Sequence, residues 1–220
     1  MTYMSRIFTI FGTNQSGMTI SKQVEVKINQ MPEGSLIFID DFLDAFDYEV
    51  ARKALQRLCG SEQIMRLGRG IYYKSKKSEL LGTIKPSAEQ IAEAIARRDK
   101  ARIIPTGAYA QFRLGLTTQI PMNVVYLTDG SPRKIHIGNQ KIKFKKTSPK
   151  NLAVDHLLTS LIIQALREFG EGNVEQEHLN QIGEIIKKSN ESNKVREYKR
   201  YAPAWIQKHI LIILNSIDYE

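Results

Sequence analysis

Cysteine is nearly absent from the sequence, because Cys59 is its only representative among 220 residues. One cysteine cannot form an internal disulfide, and a zinc site built from several thiolates is excluded for the same reason. Cys59 falls on the apolar side of a predicted helix, which indicates an inert packing role.

Long hydrophobic runs are also lacking. The two apolar runs nearest the ends, residues 7–11 and 210–214, are far shorter than the ~20 residues of a membrane-spanning helix. The first run has no small-residue cleavage site either, so we expect no signal peptide. These features predict a soluble, cytoplasmic protein without a membrane partner.

Groupings of residues that would indicate catalysis are missing. The histidines lie in different predicted elements without metal-ligand spacing, and no serine or threonine sits in a nucleophile-elbow pattern. The acidic cluster at residues 40–47 has no histidine near it in sequence, and helix capping explains it. We therefore expect no enzymatic activity, no metal and no cofactor.

Positive charge, by contrast, is in excess. The sequence has 32 Lys and Arg against 23 Asp and Glu, which gives a net charge of +9. A polyanion is a natural partner for such a chain, although charge carries no information about fold. The length and the changes of composition along the chain favour two domains.

Residues 18–78 are predicted to form three short helices followed by a β-hairpin. Apolar residues recur at helical spacing near residues 18–31, and Asp40 or Asp41 can cap a brief second helix. In the third helix, residues 48–59, apolar and charged residues occupy opposite faces. This order is typical of a winged helix-turn-helix, whose third helix enters the major groove while the hairpin lies against the flanking backbone.

The hairpin is predicted from the segment RLGRGIYYK, residues 66–74. Gly68 and Gly70 supply the positive φ of a tight turn, and the residues after them favour a strand. A dinucleotide-binding loop needs a third glycine and a following helix, and a Walker loop needs Gly-Lys-Ser/Thr. Neither is present, so the segment is interpreted as the tip of a hairpin.

Seven side chains of the third helix and hairpin are predicted DNA contacts. The candidates for base edges are Arg52, Lys53 and Gln56. The candidates for phosphates are Arg57, Arg66, Arg69 and Lys74. Glu49 on the same face would either read a cytosine amino group or repel the backbone, and the alternative for the whole face is a solvated or protein-docking surface.

The second domain is expected over residues 86–220, after a segment, KKSELLGTIK, with the composition of a linker. Ser87 and Gln90 resemble a capping box that opens a helix. A strand, a short helix and three strands should follow, with turns at Asp129-Gly130 and Gly138-Asn139. From residue 151 onward the pattern is helical, and the apolar last helix serves either the core or a partner surface. Residues 1–17 are taken as a separate flexible segment.

Several short motifs in the middle of the chain are shared with a known family. They are Pro105-Thr106-Gly107-Ala108, Leu114-Gly115-Leu116, Gln119-x-Pro121 and Tyr126-Leu127-Thr128-x-Gly130. In these motifs the chain resembles the AbiEi antitoxins of abortive-infection, type IV toxin–antitoxin pairs. The segments EGSLIF, ARKALQRL and RLGRGIYYK also resemble the winged helix of that family. By residue type alone, Pro105 should end a strand, Thr106 cap a helix and Gly115 stop it.

The resemblance implies a two-domain antitoxin. Its N-terminal domain would bind double-stranded operator DNA and repress its own operon. Its C-terminal domain would counteract a nucleotidyltransferase-like toxin without needing a stable complex. Either a homodimer or two separate copies can occupy paired half-sites.

We therefore predict an α+β protein, in which an N-terminal winged helix-turn-helix precedes a mixed α/β segment and a helical C-terminal region. Its predicted function is operator binding and autorepression by a type IV antitoxin. The alternatives are a winged-helix adaptor that docks an acidic protein, and a nucleic-acid enzyme, which lacks a catalytic set.

Overall fold

The computed structural model describes residues 18–80 and 82–218. These residues form an α+β protein that divides between Pro86 and Ser87 into two compact units. The segment predicted to be flexible, residues 1–17, lies outside the described residues, as does its apolar run. Within the described ranges, no helix is long and apolar enough to cross a membrane.

The first unit contains two α-helices, a 3-10 turn and three strands up to residue 73. In chain order they are α1 (Ile20–Gln30), β1 (Leu36–Phe38), the 3-10 turn Ile39–Phe42, α2 (Tyr48–Gly60), β2 (Met65–Gly68) and β3 (Ile71–Tyr73). The second predicted helix is thus a single 3-10 turn. The carboxylate of Asp41 stabilises it by accepting the backbone N–H of Phe38 at 2.8 Å.

Helix α2 packs on the first unit through the apolar face that its sequence predicts. Ala51, Ala54, Leu55 and Leu58 are buried, and they pack in one core with residues of α1 and β1. Burial of this apolar arc is the main force that holds the helix on the unit. Asp47 stands at the N-terminal cap position but its side chain makes no capping hydrogen bond.

The three strands form an antiparallel sheet in the order β1-β3-β2. All three residues of β3 are buried, which fits its central position. Arg69 and Gly70 form the tight connection from β2 to β3, and Gly70 has a φ of +70°. The predicted hairpin is therefore confirmed, but of its two glycines only Gly70 has the predicted positive φ, while Gly68 lies in β2.

The segment predicted to be a linker is a second small hairpin, so that prediction was wrong. Strand β4 (Lys76–Ser78) pairs with β5 (Gly82–Ile84) in an antiparallel ladder. Its residues are mostly exposed, so they lack the apolar alternation by which a strand is recognised in sequence.

The second unit begins with α3 (Ala88–Arg98), opened by the predicted capping box. The Ser87 hydroxyl accepts the backbone N–H of Gln90 at 3.2 Å, and the Gln90 side chain accepts that of Ser87 at 2.9 Å. The following elements are β6 (Ile103–Thr106), α4 (Ala108–Leu114), β7 (Asn123–Thr128), β8 (Arg133–Ile137) and β9 (Gln140–Lys146).

Strands β6 to β9 form a four-stranded mixed sheet in the order β6-β7-β9-β8. Gly138-Asn139 connects β8 to β9 in the predicted hairpin. Asp129-Gly130 does not close a hairpin, because β7 pairs with β9 in parallel and not with β8. One face of the sheet is buried through Val124, Tyr126, Ile142 and Phe144.

The corner between β6 and α4 differs from its sequence prediction in two details. Pro105 lies inside β6 and not at its end, which is tolerated because β6 is an edge strand. Thr106 does not cap α4, since its hydroxyl donates to the Gln164 side chain at 2.9 Å and Gly107 holds the cap position. Gly115 ends α4 in the left-handed conformation with a φ of +74°, as predicted.

Four helices complete the second unit: α5 (Leu157–Phe169), α6 (Gln176–Ser189), α7 (Ser192–Tyr198) and α8 (Ala204–Asp218). On α8 the predicted apolar stripe packs in the core through Ile206, Ile210 and Ile213. Leu211 and Ile212 of the same helix are exposed, by 37% and 51%. Core packing therefore accounts for most of the apolar surface of this helix.

Candidate nucleic-acid interface

The outward face of α2 carries four of the seven predicted contacts. Lys53, Gln56 and Arg57 are exposed, while Arg52 is half-buried. Within residues 18–80 and 82–218, the side chains of the first three make no hydrogen bond and no ion pair. Their polar ends are therefore free to meet a ligand.

Arg52 is held by Glu49, one turn earlier on the same helix. Its Nη2 lies 2.8 Å from Glu49 Oε2, and its Nε lies 3.1 Å from the same oxygen. The hydrogen bond from Arg52 lowers the pKa of Glu49 below its usual value, and the same bond raises the pKa of Arg52. Because exposed ion pairs of this kind contribute little to stability, Arg52 can exchange this carboxylate for another acceptor at small cost.

The β2–β3 hairpin carries Arg66 and Arg69, and both side chains are exposed. Arg66 donates from Nε to the carbonyl oxygen of Gly68 at 3.3 Å. Arg69 lies at the tip and has no such partner among the residues that the structure describes. Gly70 fits the tip closely, because a Cβ at this position would come within 3.2 Å of Ile39.

One groove lies between the N-terminal half of α2 and the hairpin. Its charged and aromatic lining consists of Tyr48, Glu49, Arg52, Arg66, Arg69 and Tyr72. The fold thus brings three predicted contacts, one from a helix and two from a hairpin, to the same opening. Lys53, Gln56 and Arg57 lie on α2 outside the lining.

The structure gives Lys74 a different place from the predicted phosphate contact. Its Nζ donates to three backbone carbonyls at the C-terminal end of α1, those of Ile28, Asn29 and Met31, at 3.1, 2.9 and 2.6 Å. The last carbonyls of a helix have no partner within it, so an ammonium group satisfies them well. We therefore assign Lys74 a structural role and remove it from the contact set.

The two tyrosines of the groove were missed by reasoning from the sequence. Tyr48 is 44% exposed, although it is the first residue of α2, and Tyr72 is buried in the centre of the sheet. Burial raises the pKa of Tyr72. Aromatic residues in a strand or amphipathic helix indicate core packing, so only the position of Tyr48 at the helix start hinted at exposure.

Cys59 is partly buried against the core of the first unit. Burial raises the pKa of its thiol, which disfavours the reactive thiolate. Across the parts of the chain that the structure describes, no three His, Cys, Asp or Glu side chains group as a metal site would require.

Comparison with known proteins places the chain in a family. Residues 23–194 match the model of a family of unknown function, DUF6088. The chain belongs to this family. Among curated proteins none matches it. The crystal structure of the RV2827C protein from Mycobacterium tuberculosis is similar at 11% identity and a TM-score of 0.46, over 89% of this chain and 76% of that one.

The region of this DUF6088 chain that matches the family model covers most of both compact units but not the last helix, α8. It starts within α1 and ends within α7, so it contains the groove of the first unit and the whole sheet of the second. Both are therefore parts of what the family model describes.

Proposed function

We propose that this chain binds duplex DNA through the groove face of its first unit. The order helix, strand, short turn, helix and hairpin, with β1 paired to β3, supports a winged helix-turn-helix. In this arrangement α2 is the helix that enters the major groove, and the β2–β3 hairpin is the wing.

The observation that carries the proposal is that cations from two separate elements border one groove. Arg52 extends from α2, while Arg66 and Arg69 extend from the hairpin. A cationic face built from one helix alone would be explained by solvation. Convergence of helix and hairpin matches the two surfaces by which a winged helix reads bases and holds phosphates.

The side chains divide into two roles. Arg52 and Gln56, one turn apart on α2, are assigned to base edges, since both side chains can pair bidentately with a purine. Lys53 lies beside them and is assigned to bases as well. Arg57, Arg66 and Arg69 are assigned to phosphates, which need only long cationic side chains at exposed positions.

We further propose that the bound DNA is the operator of the chain's own operon, and that the protein is an antitoxin of the type IV class. The resemblance of the central motifs and of the α2–hairpin segment to the AbiEi antitoxins supports this role. As such an antitoxin, the protein would act in the cytoplasm. Its second unit would counteract a nucleotidyltransferase-like toxin without forming a stable complex with that toxin.

Fluorescence anisotropy on DNA from upstream of the gene tests the proposal. Scrambled DNA of equal length serves as competitor, over a range of salt concentrations. We expect a preference of about a thousandfold or more for the upstream DNA. Equal binding to both would reject the operator, and absence of binding would favour the adaptor that docks an acidic protein.

Arg69→Ala tests whether a cation of the wing contributes more to DNA binding than a cation elsewhere on the protein. This variant should weaken binding to every sequence and reduce the salt slope by about one. Lys22→Ala is the matched control, because Lys22 is an exposed cation of α1 that pairs with Glu25 and lies outside the groove lining. Equal effects of the two substitutions would reject the wing assignment.

A further inference from the structure

The second unit has a strongly basic surface that the function proposed above does not use. On β9, Lys141, Lys143 and Lys145 alternate with the buried residues Ile142 and Phe144. The three lysines therefore point to the face of the sheet opposite the core. Successive lysines are about 6.6 Å apart along the strand, so the row spans roughly 13 Å.

Neighbouring strands add to this row and do not neutralise it. Lys134 on β8 pairs in register with Lys143, and His136 pairs with Lys141. The side chains that line the groove on this face are Asn123, Val125, Lys134, His136 and the three lysines of β9. None of these residues is acidic.

Two ordinary explanations do not account for this face. Like charges directly opposite each other destabilise a sheet, so the pair Lys134–Lys143 has a cost to folding. Lysines do protect exposed sheet edges from aggregation, but β9 lies between β7 and β8 and is not an edge. Solubility alone would be served as well by charges of mixed sign.

We propose that this sheet face, centred on Lys141, Lys143 and Lys145, binds the phosphate backbone of duplex DNA. Each strand of a duplex presents a phosphate about every 3.4 Å along the axis, so the row faces several phosphates at once. The proposal goes beyond the function given above, because it concerns other residues in the other unit.

The lining residues also decide between kinds of nucleic acid. Single strands are held by aromatic side chains on which bases stack, and the lining contains no phenylalanine, tyrosine or tryptophan. Duplex RNA is recognised by its shape and by contacts to its 2′-hydroxyls and phosphates, and Asn123 is the one amide among the lining residues that would bond a 2′-hydroxyl. Lysine ammonium groups hold phosphates without reading base or sugar, which fits DNA bound without regard to sequence.

The test uses the full chain and a DNA duplex of about three helical turns with no relation to the gene. Binding of the wild type and of the triple variant Lys141→Gln/Lys143→Gln/Lys145→Gln is measured by anisotropy against salt. Loss of three phosphate contacts should reduce the salt slope by about 2.7. When the salt concentration rises from about 50 to about 200 mM, both proteins lose affinity for the duplex. The loss should be about 40-fold larger for the wild type than for the triple variant.

A second triple variant removes the same charge from elsewhere in the unit. Lys188→Gln/Lys194→Gln/Lys208→Gln replaces three exposed lysines of α6, α7 and α8. Its slope should stay close to that of the wild type. Equal slopes for the two triple variants would overturn the proposal. It would also be overturned if the sheet variant lost binding to single-stranded DNA or to RNA but bound duplex DNA as the wild type does.

Thermal unfolding of the sheet variant tests whether the three substitutions disturb its folding. The sheet variant should be at least as stable as the wild type, because it removes the repulsion of Lys134 by Lys143. If the triple sheet variant does not fold, the salt-slope measurement is repeated with the double variant Lys134→Gln/Lys141→Gln, which has one substitution on each of β8 and β9. An unchanged slope in that double variant would also overturn the proposal.

Failure of this proposal and failure of the DNA-binding function are distinguishable. If Arg69→Ala weakens binding while the sheet variant does not, only the sheet proposal fails. If the sheet variant weakens binding while Arg69→Ala does not, the sheet proposal holds and the wing assignment fails.

Discussion

The ammonium group of Lys74 lies 2.6 Å from the carbonyl oxygen of Met31, just past the end of the first helix. Lys74 directly follows β3, so this contact fastens the sheet to the C-terminal end of α1. The side chain that should have faced DNA by its sequence position instead closes the helix.

Replacing Lys74 should therefore affect stability and leave DNA binding alone. Lys74→Met keeps an apolar stem but removes the ammonium group from three carbonyls. The loss should be about 1.5–3 kcal/mol in the free energy of unfolding, the range for hydrogen bonds to charged groups. Urea unfolding measures it. Lys77→Met is the control at an exposed position, and it should change stability by less than about 0.5 kcal/mol.

The salt slope of DNA binding gives the second readout for Lys74. A lysine bound to backbone carbonyls contributes no phosphate contact, so Lys74→Met should keep the wild-type slope. A slope smaller by about 0.9 would mean that Lys74 touches a phosphate after all.

Gly70 is required at the tip of the hairpin for two reasons that act together. Its φ of +70° is strained for other residues, and a Cβ would meet Ile39 Cγ2 at 3.2 Å. Gly70→Ala should therefore lower the free energy of unfolding by at least about 1–2 kcal/mol. Thermal or urea unfolding checks this value.

Gly60 provides the matched control for Gly70. It ends α2 with no left-handed φ, and nothing lies within 4 Å of an added Cβ. Gly60→Ala should be neutral or stabilising by up to about 1 kcal/mol. Equal destabilisation by both substitutions would reject the conformational argument.

The sequence predicts well what depends on local patterns. The two faces of α2, the capping box at Ser87 and Gln90, the glycine that ends α4 and the hairpin at Arg69-Gly70 all follow from spacing or from the backbone needs of single residues. Each of these features is decided within one helix or one turn of the chain. That is why periodicity and residue type suffice for them.

Contacts between residues that are far apart in the chain could not be predicted from the sequence. Lys74 reaches carbonyls more than forty positions earlier in the chain. Thr106 bonds to Gln164 and not to its own helix, and β7 pairs with β9 and not with β8. The partner in each case depends on tertiary packing, which overrides the local preference of the residue. At the groove, packing of the helix start likewise leaves Tyr48 exposed, which its residue type did not indicate.

Tyr126 should make the second unit sensitive to alkaline pH. Burial raises the pKa of its hydroxyl far above the ordinary value of 10.0. The folded state therefore keeps the proton while the unfolded state releases it above pH 10, so stability is full below that pH and falls as the pH rises. For this one group the decline is up to about 1.4 kcal/mol per pH unit.

Urea unfolding at increasing pH measures the contribution of Tyr126. Tyr126→Phe removes the ionisable group, so its stability should decline less steeply above pH 10 than that of the wild type. Tyr48→Phe, at an exposed ring, should decline as the wild type does. Parallel curves for wild type and Tyr126→Phe would contradict the role of burial.

Arg52 and Gln56 should determine which base pairs are preferred. Arg52→Ala or Gln56→Ala removes a bidentate contact to a purine, so discrimination at that position of the site should relax by about 5- to 150-fold. Anisotropy on a set of sites with single base changes measures it. Base preferences that survive both substitutions would show that α2 is not the recognition helix.

Glu49 should act as a restraint on Arg52 and on DNA binding. Its carboxylate holds the Arg52 guanidinium at 2.8 Å and places a negative charge in the groove. Glu49→Gln removes that charge and weakens the hold, so affinity should rise for every duplex while the preference between sequences narrows. Glu33→Gln, which removes an exposed charge outside the groove, is the control for net charge alone. If Glu49→Gln instead lowered affinity for sites with one particular base pair, Glu49 would be reading a cytosine amino group.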